Sequence, residues 1–307
     1  MKTTGYGEAI GKVILMGEHA VVYGEPAFAI PLPNVGVRIT IKSATFDAID
    51  SDVYRGNLVE SNPLTHPLKT MLDALRNALK IGPIQITVEG NIPVNAGLGS
   101  SAAVAGALVA ACYDMAEENL DEDRHIEWIQ VAEKVAHGNP SGIDATAIVK
   151  KRPVLFVKDQ GSMTMRLNLP GYFIVGHSGL PGRTKRAVEK IAAQYDSEST
   201  QSHIRALGQL TNMVVSFDHT SNLAQFGSLM NEAHKRLQAL GVTSKSLDNM
   251  VHGAIAKGAL GAKMTGGGLG GSVIAYAETQ AVAEDVRDFF VQSTEAPAWV
   301  MKASVLS

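Results

Sequence analysis

Apolar residues recur along this chain with two periods, and where the period changes the chain changes character. Over the first half, β-branched segments such as Val35–Ile41 and Ile84–Val88 alternate polar with apolar positions, which turns one face of a strand inward. A short apolar strand is predicted at Val13–Met16, and the continuous run Ala102–Cys112 reads as a buried helix. In Arg124–His137, Ile126 and Ile129 form an apolar stripe at helical spacing. Gly and Pro punctuate these segments. From Pro170 onward the spacing predicts a strand at Tyr172–Gly176 and amphipathic helices near Thr184–Gln194, Ser202–Phe217, Leu223–Leu240 and Ser246–Lys257. A Gly-rich turn, a strand at Ser272–Ala277, a helix near Gln280–Gln292 and a strand near Ala298–Val305 follow. The class is therefore α+β, with a domain boundary expected near residue 168 that gives segments 1–168 and 169–307. No internal repeat or low-complexity segment is present.

At 307 residues the chain exceeds the usual single core, which favours two domains or one large domain with a ligand cleft. Balanced charge, 27 Lys and Arg against 30 Asp and Glu, gives a net −3, so no global field draws nucleic acid or an anionic membrane. An anionic ligand must be held by local groups. Cys112 is the sole cysteine, which excludes an internal disulfide and any multi-cysteine metal site. Its place at the end of an apolar run reads as core. That run is too short to cross a bilayer, and the N-terminus lacks an apolar stretch behind a basic start, so a cytoplasmic protein is expected.

Two Gly-rich signals mislead. Gly11-Lys12 has Tyr6 where a Walker A loop needs glycine, and Val13 where it needs Ser or Thr. Gly266–Gly271 spells G-x-G-x-x-G but opens into the strand-like SVIAYA, which disfavours a dinucleotide site. The segment PVNAGLGSSAAVAGALVAACYD, residues 93–114, carries more chemistry. Gly97 and Gly99 let the backbone turn back with amides exposed, Ser100 and Ser101 offer N-cap hydroxyls, and a helix follows. A loop that feeds a helix N-terminus attracts anions through its free N–H groups and the helix dipole. A serine-capped connection is the plainer alternative.

Acidic groups accompany that loop. Glu133 falls on the inward stripe of its helix, and a metal ion would relieve the cost of burying its carboxylate. HGNPSGID, residues 137–144, ends that helix at Gly138 and Pro140 and returns the chain with Ser141 and Asp144 on a rigid turn. Asp144 could also be an ordinary turn aspartate. Near the start, Lys12 enters the apolar strand and Gly17-Glu18-His19 leaves it. A structural histidine is the simpler account of His19 taken alone.

The set KVILMGEHAVVYGEPA (12–27), PVNAGLGSSAAV (93–104), E-x3-HGNPSGID (133–144) and KMTGGGLGGS (263–272) resembles the GHMP kinases, all motifs in order, and among them most closely the members that phosphorylate mevalonate. The resemblance implies an N-terminal domain like ribosomal protein S5 domain 2 and a ferredoxin-like C-terminal domain, with the active site in the cleft between. It implies that Asn95, Ala96, Gly97, Leu98, Gly99, Ser100, Ser101 and Ala102 wrap the phosphates of ATP, with Gly266, Gly267 and Gly268 beside them. Mg²⁺ would be held by Glu133 with Ser100 or Ser101. Asp144 matches the family's catalytic aspartate and Lys12 the lysine paired with it, while Glu18, His19, Ser141 and Thr184 match positions around the alcohol substrate. For that substrate's carboxylate, Lys12, His19, Arg183 and Lys185 stand as candidates. A homodimer is implied by the resemblance alone. Kinases of phosphomevalonate, homoserine or galactose, a related decarboxylase, and a non-catalytic ATP-binding protein on the same scaffold are the alternatives; the last typically loses the acids present here.

Overall fold

Two long strands, β1 (Thr4–Met16) and β2 (Ala27–Ser43), pair with each other and each supplies residues to both compact units of the chain. The computed structural model describes residues 2–59, 61–138, 142–158, 160–217 and 222–306. The first unit comprises Met1–Gly11, Val35–Ile92 and Gly99–Lys151; the second comprises Lys12–Asn34, Pro93–Leu98 and Arg152–Ser307.

In the first unit the C-terminal half of β2 pairs antiparallel with β5 (Ile84–Gly90), which runs parallel to β3 (Ala48–Asp50); β4 (Arg55–Asn57) closes that edge. Ile39, Ile41, Ile84 and Ile86 are fully buried, as the alternation predicts. The helices α1 (His66–Leu79), α2 (Ser100–Ala116), α3 (Glu122–His137) and α4 (Ile143–Lys150) pack with one another. Helix α2 is apolar nearly all round and lies at the centre, Cys112 included. Burial pushes that thiol up to about 12, so it is an inert core residue. Gly5 and Gly7 share one face of β1, and a Cβ on either would run into the carbonyl of Ala111 or Ala107, one helical turn apart on α2. Strand and helix backbones therefore meet directly, which only glycine permits.

In the second unit the first residues of β2, Ala27–Ala29, pair with β6 (Val154–Val157), which pairs with β7 (Gly161–Thr164). A four-stranded antiparallel sheet follows in the order β11 (Ala298–Lys302), β8 (Tyr172–His177), β10 (Ser272–Ala277) and β9 (Gly261–Thr265). The helices are α5 (Thr184–Ala192), α6 (Glu198–Val215), α7 (Leu223–Ala239), α8 (Lys245–Ala256) and α9 (Gln280–Thr294). Ser197, Asn222, Ser244 and Thr279 cap the N-termini of α6 to α9 by accepting from first-turn amides. Helices α7, α8 and α9 pack on the sheet, and every residue of β9 and β10 is buried.

Two local expectations need correction. Ser100 and Ser101 do not cap α2: Gly99, at φ 74°, holds the cap position, and the serines are the first two helical residues. Asp144 is not on a turn. Gly142 occupies the cap at φ 81°, and Asp144 lies in the first turn of α4, where a carboxylate is favoured by the helix dipole.

Candidate active site

Within the second unit, four sequence-distant segments are braided together by backbone contacts. The Lys12 amide donates to the Leu98 carbonyl at 3.1 Å, and the Gly182 amide donates to the Asn95 carbonyl at 2.8 Å. Ser272 Oγ donates to the Ala96 carbonyl at 2.9 Å. The Arg183 amide reaches the Gly268 carbonyl at 3.0 Å, and the Gly271 amide the Leu180 carbonyl at 2.8 Å. Gly97 (φ 81°) and Gly266 (φ 76°) lie back to back, so that a Cβ at 266 would stand 2.9 Å from Gly97 Cα. Asn95 also sits at positive φ, 58°, a conformation asparagine tolerates better than most residues. A Cβ at Gly267 would collide with the Thr184 hydroxyl. Lys12, the loop 95–98, the turn 266–271 and Thr184 thus form one assembly, and Gly99 carries the chain from it into α2. The first N–H groups of that helix have no intrahelical partner, which suits an anion.

The first unit holds an oxygen-rich corner of its own. Ser101 Oγ donates to Glu133 Oε1 at 2.7 Å, and the Glu133 carboxylate is buried as its stripe position predicts. Asp144 is half-buried on α4, a helix that packs on α3. Ser100 is half-buried and Ala102 fully buried on α2. Ser141 lies outside the described residues.

At the exit of β1, Glu18 and His19 are both buried, and Lys263 of β9 forms a fully buried ion pair with Glu18 through Oε1. The Lys263 Nζ also donates to the Met264 carbonyl at 2.8 Å. Desolvation raises the Glu18 carboxyl above the ordinary carboxylate range, against the opposing charge and hydrogen bond of Lys263 and the charge of Lys12. Desolvation likewise lowers the Lys263 ammonium. The His19 imidazole is pushed down to about 4 by burial, opposed by a hydrogen bond with the Gly267 backbone. His19 sits at φ 63°, outside the regions most residues adopt. Lys263 opens the motif KMTGGGLGGS but receives no role from the resemblance, although the sequence carries a signal: a lone cation in the apolar strand GAKMT. A cleft of about 620 Å³ in the same unit is lined by Arg183, Arg186, Glu189, Lys190, Ser244 and Leu269. Its three cations against one carboxylate suit an anionic ligand.

Among the described residues no helix is long and apolar enough to cross a membrane. Residues 66–152 match the GHMP kinases N terminal domain and residues 213–294 the GHMP kinases C terminal domain. The chain is 31% identical over 296 residues to the mevalonate kinase of Thermococcus sibiricus, covering 88% of each chain. Among solved structures, mevalonate kinase from methicillin-resistant Staphylococcus aureus MRSA252 is 32% identical with a TM-score of 0.77, covering 99% of this chain and all of that one. The L. major mevalonate kinase in complex with R-mevalonate shares the fold, with a TM-score of 0.82 at 22% identity, covering 98% of this chain and 96% of that one.

Proposed function

The chain belongs to the GHMP kinase family, and we propose that it transfers the γ-phosphoryl group of ATP to the C5 hydroxyl of mevalonate, giving 5-phosphomevalonate and ADP. The observation that carries this reading is the braiding of Lys12, the 95–98 loop, the 266–271 turn and Thr184 into one assembly, beside relatives that are mevalonate kinases along nearly the whole chain. Phosphoryl transfer asks for positioning and charge neutralisation more than covalent chemistry. Glycines at 97 and 266 to 268 let these segments pack with no room for a Cβ, and the N-terminus of α2 suits an anion.

In this reading Asp144 accepts the proton of the attacking hydroxyl, and Lys12, its partner by resemblance, stabilises the charge that develops on the transferred group. Glu133 and the Ser101 hydroxyl are hard oxygen donors 2.7 Å apart and fit Mg²⁺, with Ser100 as the alternative hydroxyl. Bound there, Mg²⁺ would neutralise phosphate charge during transfer. Among the described residues no group of three His, Cys, Asp or Glu could hold a metal by itself, so phosphate oxygens and water would complete its shell. Glu18, His19, Thr184 and Ser141 hold the acceptor. The division into 1–168 and 169–307 assigns the loop, the metal acid and the base to the first segment and the 266–271 turn to the second. A cytoplasmic homodimer completes the proposal, on resemblance.

The test is steady-state ADP release with Mg·ATP and mevalonate, set against phosphomevalonate, homoserine and galactose, with the product identified by mass. Turnover of mevalonate at least tenfold faster in kcat/KM than of any other alcohol is expected; preference for another acceptor refutes the substrate assignment.

A further inference from the structure

Lys263 is the third residue of a strand buried along its whole length, and it is itself fully inaccessible. Lys263 and Thr265 share one face of β9, the period of two turning both toward the N-terminal segment: Thr265 Oγ1 donates to the Ile14 carbonyl at 2.8 Å, and Lys263 pairs with Glu18. Glu18 is thereby bonded through Oε1 only. Its Oε2, and the Nε2 of the adjacent His19, are buried and without a hydrogen-bond partner among the described residues. Since Nε2 is unpartnered, the contact with the Gly267 backbone falls to Nδ1. A neutral imidazole that donates through Nδ1 presents a lone pair at Nε2. Successive residues thus hold two buried acceptors that lack donors, an unfavourable arrangement that a ligand bearing O–H groups would relieve. A carboxylate would meet like charge there.

We propose that Lys263 is a positioning residue for the alcohol substrate: by holding Glu18 through Oε1 it orients Oε2 so that, beside His19 Nε2, it accepts the proton of the acceptor's non-reacting hydroxyl. This rests on the mevalonate reading above, in which the C5 hydroxyl gives its proton to Asp144 and the C3 hydroxyl is left for these acceptors. It turns the substrate's carboxylate away from His19, leaving Lys12, Arg183 and Lys185 as its partners. A lysine that merely clamped β9 would alter stability without distinguishing one substrate from the other.

Steady-state kinetics on Lys263→Met, Glu18→Gln and the double variant test it. Lys263→Met is expected to raise the mevalonate KM about 10- to 100-fold, the worth of a hydrogen bond to a charged group. The KM for ATP should move less than about twofold, as expected of a residue that acts only on the acceptor side. Added to Glu18→Gln, Lys263→Met should raise the mevalonate KM no further, because its effect runs through Glu18. An unchanged mevalonate KM, an equal rise in both KM values, or additive effects would overturn the assignment. Should Lys263→Met fail to fold, Lys263→Arg keeps the buried charge pair while displacing Oε2: a raised mevalonate KM with the KM for ATP within about twofold upholds the role, and an unchanged mevalonate KM ends it. Wild-type protein that does not turn over mevalonate removes the functional reading itself, whereas normal turnover with an insensitive Lys263→Met removes only the positioning role.

Discussion

Replacing Gly266 by alanine adds one methyl group at the point where the two Gly-rich segments touch. The new Cβ would lie 2.9 Å from Gly97 Cα and 3.4 Å from its carbonyl oxygen. Carbon atoms settle at about 3.5–4.0 Å, so the loops must part by about 0.6 Å or more. Both contacting groups are backbone, and no side chain can swing aside. The residue also sits at φ 76°, where an alanine costs about 1–2 kcal/mol. With overpacking of about 1–3 kcal/mol, the variant should lose about 2–5 kcal/mol of stability. Gly24 provides the control: its φ is 95° and nothing lies within 4 Å of a Cβ built there, so Gly24→Ala carries the conformational penalty alone. A displacement of about 1 Å in a phosphoryl-transfer site can cost about a hundredfold in rate. Gly266→Ala should therefore lower kcat/KM for ATP by about 10- to 100-fold and Gly24→Ala by less than about threefold. Thermal denaturation and initial-rate assays on the two variants, side by side, measure both quantities. Equal melting temperatures and equal ATP kinetics in the two would refute the claim that loop contact at 97 and 266 shapes the phosphate site.

Asp144→Asn should reduce kcat by about 10²–10⁴ while ATP binding stays within a few-fold, and near-normal turnover would remove Asp144 from the base role. Glu133→Gln should shift the Mg²⁺ dependence of the rate to higher concentration, and an unaltered titration would take Glu133 out of the metal shell. His19 titrates at about 4 in the folded chain against 6.5 ordinarily, so the unfolded chain takes up its proton first as pH falls. The stabilisation is complete above pH 6.5 and declines toward pH 4, by about 1.4 kcal/mol per pH unit. Between pH 7 and 5 the wild type should lose about 2 kcal/mol more than His19→Gln, measured by denaturant midpoints at both pH values, and equal losses would contradict the depressed imidazole.

Elements and inward faces are legible where their spacing is local. Strand β10 coincides with the predicted Ser272–Ala277, since six apolar or small residues between a Gly-rich turn and a polar Glu278 allow little else. Glu133 points inward as the Ile126 and Ile129 stripe requires. Local reasoning failed where glycine chemistry dominated: HGNPSGID reads as a turn, yet IDATAIVK begins a helix as soon as Gly142 has taken a left-handed cap. Ser100 and Ser101 suggested caps by type, and Gly99 displaced them by conformation. Lys263 escaped for another reason: its partner Glu18 is 245 residues away, and no periodicity links two charges at that distance.

The interleaving of the two units also orders events during synthesis. Residues 12–34 belong with β9 and β10, which leave the ribosome only after a further stretch of more than two hundred residues. At about 5–20 residues per second that interval lasts roughly 10–50 s. Through it the nascent segment carrying Lys12, Glu18 and His19 waits without its cognate strand, so a chaperone that shields emerging apolar segments should raise the yield of active enzyme more than it would for a protein whose units follow one another along the chain.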